Sequence, residues 1–461
     1  MNLQKECEIT KFDILIRDGL VVTPMGSMHA DIGINDDKIA FIAKGSKNLG
    51  MHGKERIDAK GKIVFPGAID AHVHMELPIA GTYSSDDFRT GSIACAFGGI
   101  TTMIDFAIPK KEDSISEELS SRKESAKKSI IDYAFHAGIT HQRHIREIKK
   151  VIEDGINSFK MFTTYPSLMI DDATMYQAFE ELAKYDGIAT IHAENYGLMS
   201  YFISKYIKEG KKHPRYHPLS RPNFVEAESI MRVVEFARAA KNRLYIVHMS
   251  TSEGVSIIDR AKRDGVRVFS ETCPQYLTLE DSVYSSKECN NYIVCPPIRK
   301  KTDNEHLWLG INSGIVDTVG TDHCPFTRAQ KWSRDSFDSI PPGLPGVETL
   351  LPIMYSEGVA KGKLSLERMV EVISTNPARI FGLDSKGILA PGKDADIVIF
   401  DPKVDWKIRY EDLHMNADWS PYEGMKIKGK VHATILRGVP ICIDGKLVNS
   451  SQGKYISRRK H

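Results

Sequence analysis

The sequence predicts an α/β fold: a (β/α)8 TIM-like barrel carrying a small β-sandwich domain built from both chain ends. Three observations lead there. Short runs of alternating apolar and polar residues occur at both ends of the chain, and the long middle stretch alternates apolar strands with helical patterns. That middle stretch contains eight strand candidates, which favours a closed barrel over an open sheet.

Taken in order, residues 12–44 alternate in runs such as 12–16 and 38–42, broken by Asp18-Gly19 and Asn35-Asp36, and read as small antiparallel strands. The same texture returns at 396–400 and 431–436, before a turn at Asp444-Gly445. The expected domains are therefore 1–65 and 389–447 as the two parts of the sandwich, 66–388 as the barrel and 448–461 as a basic tail. Strand candidates fall at 63–69, 101–106, 133–138, 158–162, 189–191, 244–247, 266–269 and 317–319. Helical patterns separate them, as at 226–240, and another follows at 365–374. The tail from Lys454 reads as a solvated end or a subunit contact.

Composition narrows the partners. Lysine and arginine number 62 against 60 aspartates and glutamates, so the net charge of +2 offers no field for nucleic acid or an anionic membrane. No stretch approaches the ~18–20 continuous apolar residues of a bilayer span, and the first ten residues lack the form of a secretory signal. The seven cysteines are scattered from Cys7 to Cys442 without paired metal-site spacing, which fits a reducing cytoplasm.

The chemistry-bearing residues stand at strand ends. The first candidate runs into His72-Val73-His74, the fourth contains Lys160, the fifth ends at His192, the sixth at His248, and the eighth runs into Asp322. In a (β/α)8 barrel these ends meet on one rim, where such folds place their active sites. Histidines two apart on a strand face the same way, so His72 and His74 can hold one ion. A lone histidine pair is weak evidence, and each histidine alone is more often a satisfied side chain than a ligand; five segments converging on one rim change that balance. Asp322 can supply a carboxylate to metal or accept a proton, though before Cys324-Pro325 it also suits a turn or a helix cap. A protonated Lys160 is out of place in a cationic pocket, and its bland reading is a side chain reaching solvent.

The stretches Asp70-Ala71-His72-Val73-His74, Gly81 through Phe88, Ala96 through Thr102, Ser158 through Phe162, Ile191-His192-Ala193-Glu194-Asn195, Glu271 through Leu277 and Thr321 through Phe326 resemble the dihydropyrimidinase and hydantoinase family, in its order and spacing. The likeness spans roughly residues 10–445. It implies a carbon dioxide-derived carboxylation of Lys160, giving an anion able to bridge two cations. It further implies one metal on His72, His74, Lys160 and Asp322, and a second on Lys160, His192 and His248. Zinc suits these donors, with bonds of roughly 2.0–2.2 Å, and manganese, cobalt or iron can substitute.

The mechanism this implies has two ions roughly 3.5–4 Å apart sharing a water that becomes hydroxide and attacks the ring amide. Asp322 would shuttle the proton to the departing nitrogen, and the Tyr165 hydroxyl would support the oxyanion. Without the resemblance, Tyr165 reads as an aromatic at the barrel mouth. Substrate contacts map to the loops at Cys295, where relatives often carry serine, and Pro342, where they often carry asparagine. Proline has no N–H, so a contact needing that donor is lost. Loop packing is the bland reading of Cys295.

Among related activities, dihydroorotases typically place an arginine two residues after the second histidine as a carboxylate clamp. Glu76 stands there and would repel an anionic substituent, which points to dihydropyrimidines or hydantoins. Allantoinase is the alternative, because Cys-Pro-Pro-Ile-Arg at 295–299 fits either branch. A non-catalytic assembly homologue is the other, and it is disfavoured because all six ligand positions are kept. Asp70 is expected to orient an imidazole or cap a strand end, and loops 75–82 and 163–169 to line the substituent pocket. The resemblance also suggests a homotetramer.

Overall fold

The computed structural model describes residues 11–45, 51–450 and 453–458. The first ten residues, which bear on the signal-peptide reading and include Cys7, lie outside that set, as do residues 459–461 of the basic tail.

Eight parallel strands form the central sheet: Ala68–Val73, Ile100–Ala107, Asp132–Gly138, Ser158–Phe162, Ile188–His192, Arg243–Ile246, Val268–Thr272 and Thr318–Val319, each hydrogen-bonded to the next. A parallel bridge between Val73 and His323 brings the last segment back to the first and nearly closes the barrel. Every residue of the first five strands is buried, as expected where helices cover a parallel sheet.

The chain ends build a second, mostly antiparallel sheet. Its nine strands run in the order Lys446–Leu447, Val439–Ile443, Lys426–Leu436, Ile397–Lys407, Ile63–Pro66, Lys11–Thr23, Gly26–Asn35 and Lys38–Ala43, with His52–Asp58 also paired to Lys11–Thr23. One apolar cluster joins Ile14, Ile16, Ile32 and Ile34 from one end to Ile397, Ile399, Ala433 and Ile435 from the other.

Two expectations change. The candidate strand 63–69 is two strands, Ile63–Pro66 in the end sheet and Ala68–Val73 in the barrel. The break is at Gly67, where a Cβ would meet Thr101 Oγ1 at 2.1 Å, so only glycine lets the chain pass from one sheet to the other. The basic tail, over its described residues, is not a solvated end. Gly453 N donates to Ser129 O, Lys454 N to Asp132 Oδ1 and Ile456 N to Tyr133 O, which lays the tail along the third barrel strand. Arg458 is fully buried there and donates to Ser158 Oγ at 2.7 Å and to Phe135 O.

Candidate active site

All six expected ligand residues line one cavity of about 570 Å3 at the C-terminal rim. His72 lies in the first strand and His74 just beyond it, Lys160 is in the fourth strand, and His192 ends the fifth. His248 and Asp322 follow the sixth and eighth strands by two and three residues. Three of the residues at this rim sit on left-handed backbone: Tyr165 at φ 67°, Asp322 at φ 53° and His248 at φ 39°. Such conformations cost of order 1–3 kcal/mol each and persist where surrounding contacts impose them, commonly at functional sites.

The donor atoms of His72, His74 and Asp322 lie within 4.8 Å of one another. Asp322 Oδ1 is 3.1 Å from both His74 Nε2 and His72 Nε2, the latter out of line for a hydrogen bond. The His192 and His248 ring centroids are 4.5 Å apart, and His248 is 5.3 Å from His72. Burial raises the Asp322 carboxyl, but His72 and His74 outweigh it and hold the group well below the usual carboxylate range. Lys160 is almost wholly buried, its Nζ 5.0 Å from the Phe106 ring centroid. Burial pulls it down to about 8 against the opposing pull of Asp322 and Glu271, which makes the neutral amine accessible near neutral pH.

Metal fits these residues. His72 Nε2, His74 Nδ1 and His248 Nδ1 are buried without a hydrogen-bond partner among the described residues, whereas buried polar atoms are ordinarily satisfied. Imidazole nitrogens converging with a carboxylate form a donor set suited to zinc or a similar divalent cation.

Two carboxylates that sequence reasoning did not assign hold the imidazoles in place. Glu271, in the seventh strand, lies 2.6 Å from His72 Nδ1 and accepts from His248 N at 3.0 Å and Tyr245 Oη at 2.8 Å. Glu194 lies 2.8 Å from His192 Nε2 and accepts from Arg221 Nη1 at 2.7 Å. Of the two readings of Asp70, orienting an imidazole or capping a strand end, its contacts favour the second. It accepts from the main chain of His72 and Thr321 and from Thr321 Oγ1, joining the two ends of the barrel sheet. Glu194 stands two residues after the candidate donor His192, and that spacing was the available signal; Glu271 has no such local mark.

Tyr165 stacks edge-on to His192 with centroids 5.1 Å apart, and its hydroxyl neighbours the Cys295 thiol. Tyr165, Cys295 and Pro342 all line the cavity, with Leu77, Pro78 and Ile79 from the first expected loop and Ser167 and Leu168 from the second. Glu76 does not line it: its carboxylate pairs with Lys128 Nζ at 3.2 Å, so the repulsion expected of it cannot act by contact. Arg122 does line the cavity, but it is held by Asp105 Oδ1 at 2.7 Å and Met75 O at 2.6 Å.

The amidohydrolase family model matches residues 63–448. A D-hydantoinase of Geobacillus stearothermophilus is 39% identical over 458 residues, covering 97% of each chain. A D-phenylhydantoinase of Escherichia coli O1:K1 / APEC is 39% identical over 455 residues, 97% of this chain and 98% of that protein. The crystal structure of dihydropyrimidinase from Brevibacillus agri NCHU1002 superposes with a TM-score of 0.94 at 36% identity, over 97% of this chain and 98% of that one. Metal-compatible donors on a barrel rim and likeness over nearly the whole length together show that the chain belongs to the amidohydrolase family, among the hydantoinases and dihydropyrimidinases.

Proposed function

We propose that this hydrolase opens the ring amide of dihydropyrimidines or hydantoins, using two divalent metal ions, zinc by donor type, and Lys160 carboxylated by carbon dioxide. The observation that carries this is the cavity in which His72, His74, Lys160, His192, His248 and Asp322 meet beneath apolar walls that include Leu77, Ile79, Ile108, Phe162 and Leu168. One metal falls to His72, His74, Lys160 and Asp322 and the other to Lys160, His192 and His248. When bound, the pair supplies an activated water and polarises the ring carbonyl.

The chain's own groups do the rest. Asp322, ionised at neutral pH, takes a proton from the attacking water and returns it to the departing ring nitrogen. Tyr165 keeps its proton, because burial raises it well above the ordinary tyrosine range, and so can donate to the developing oxyanion. Glu271 and Glu194 fix the tautomers and directions of His72 and His192. Main chain at Cys295 and Pro342 grips the ring. Among the described residues the cavity's one arginine, Arg122, is committed to Asp105 and offers an anionic substituent no free guanidinium clamp, which supports a neutral ring over dihydroorotate.

The same reading assigns a homotetramer in a reducing cytoplasm. Cys95, Cys273, Cys289, Cys295, Cys324 and Cys442 are free and buried, as suits that compartment, and among the described residues no helix is long and apolar enough to cross a membrane. A panel of dihydrouracil, hydantoin, substituted hydantoins, allantoin and dihydroorotate tests the substrate class. Fastest turnover of dihydrouracil or a hydantoin is expected; allantoin or dihydroorotate leading the panel would overturn it.

A further inference from the structure

One turn of helix, Arg328–Lys331, follows Asp322 in the chain, and three successive side chains at its end hydrogen-bond to different segments of the chain. Gln330 Nε2 donates to Thr82 Oγ1 at 2.7 Å and Tyr83 O at 2.9 Å, beside the loop that carries Leu77 to Ile79. Trp332 Nε1 donates to Asn291 Oδ1 at 2.9 Å. Between them, Lys331 Nζ donates to Ile293 O and to Pro341 O, each at 2.7 Å.

Lys331 is completely buried. Its two acceptors are main-chain carbonyls and it lies near the Cys324 and Cys295 thiols, so this is a costly place for an ammonium unless its hydrogen bonds serve a purpose. Those acceptors immediately precede the cavity-lining residues of two separate loops. Ile293 leads into Val294 and Cys295, and Pro341 into Pro342 and Gly343. Gly343 N donates to the same Ile293 O at 2.9 Å, so the two loops share one carbonyl with the lysine as the cross-tie. Pro342 has no N–H with which to add another bond across the gap.

We propose that Lys331 is a positioning residue: it sets the spacing between segments 294–295 and 342–343, so that a ring amide meets both loops at once. This rests on the reading of the cavity as a cyclic-amide site. The lysine lies outside the metal donors and touches no reacting atom, so its effect falls on substrate placement, where small displacements have large kinetic consequences.

The test is steady-state kinetics on hydantoin and dihydrouracil with zinc-loaded wild type, Lys331→Met and Lys331→Gln, together with metal content and thermal unfolding. Methionine keeps the length and removes both donors; glutamine keeps part of the donor function. The expected result is a KM raised about 10- to 100-fold in Lys331→Met, an intermediate rise in Lys331→Gln, kcat within about threefold and metal content unchanged. An unchanged KM with a lowered melting temperature would overturn the proposal in favour of a purely structural role, and so would failure of both variants to fold. Absence of turnover by the wild type would instead overturn the function reading, and this inference with it.

Discussion

Tyr165 is held with its ring against His192 and its hydroxyl beside Cys295, and its left-handed backbone aims the side chain into the cavity. Removing the hydroxyl leaves the metal donors intact, so Tyr165→Phe should keep its metal and lose about 10²- to 10³-fold in kcat, the scale of one oxyanion donor. Full turnover per metal would remove Tyr165 from the mechanism. Glu271 works one contact further out. Glu271→Gln keeps the shape but removes the charge facing His72, and titration with zinc should show metal affinity or activity lowered about 10- to 100-fold. Unchanged affinity would mean that His72 needs no carboxylate behind it. His72, His74, His192, His248 and Asp322 were legible in sequence as candidate metal donors because they stand at strand ends, whereas Lys160 joined them only through the family resemblance. Glu271 was not legible, because its partner His72 is 199 residues away and nothing local marks the pairing.

At the scale of the strand and the tail, periodicity located all eight barrel strands, the fourth to the residue, but shifted the ends of others. The seventh, expected over 266–269, is Val268–Thr272, and that shift carries Glu271 from a loop into the strand facing His72. Residues 63–69 read as one strand because both halves are apolar; the switch of sheets at Gly67 comes from its approach to Thr101, a tertiary contact that periodicity does not encode. The tail misled for a similar reason. Its charge suggests solvent, yet Arg458 finds Ser158 Oγ and Phe135 O, and Ser158 Oγ also lies 2.6 Å from His136 Nδ1 inside the barrel. Arg458→Met would leave these groups short of a donor. It should cost about 1–3 kcal/mol in chemical denaturation while turnover per metal stays unchanged, since the proposed metal donors lie towards the other end of the strands. Lost turnover without lost stability would contradict that division.

For the whole molecule, the sequence implied two bodies without showing what welds them. Lys386 does: its buried Nζ reaches Asp132 Oδ2 at 2.7 Å in the barrel, and Asp396 Oδ2 at 2.6 Å and Asp394 Oδ2 at 3.1 Å at the entry to the end sheet. Arg437 from the sheet also pairs with Asp132. Burial opposes the charge on Lys386, but Asp396 and Asp394 outweigh it and raise its pKa, so its contribution is present below the unfolded lysine value and fades above the folded one. Asp394 behaves oppositely: burial raises its pKa, Lys386 and Lys38 lower it overall, and its contribution fades as pH falls through the folded value. The junction is thus firm through the neutral range. Lys386→Met would strand buried carboxylates and should cost about 3–5 kcal/mol in denaturant unfolding; a cost below about 1 kcal/mol, typical of an exposed pair, would contradict it.

The central claim is a binuclear ring-opening hydrolase assembled on Lys160. Its most direct test is metal content per chain with hydantoin and dihydrouracil hydrolysis, measured for wild type and Lys160→Ala after loading with zinc and bicarbonate. Two metal ions per chain and turnover in the wild type, both lost in the variant, are predicted. A Lys160→Ala protein that keeps both ions and full turnover would contradict the account.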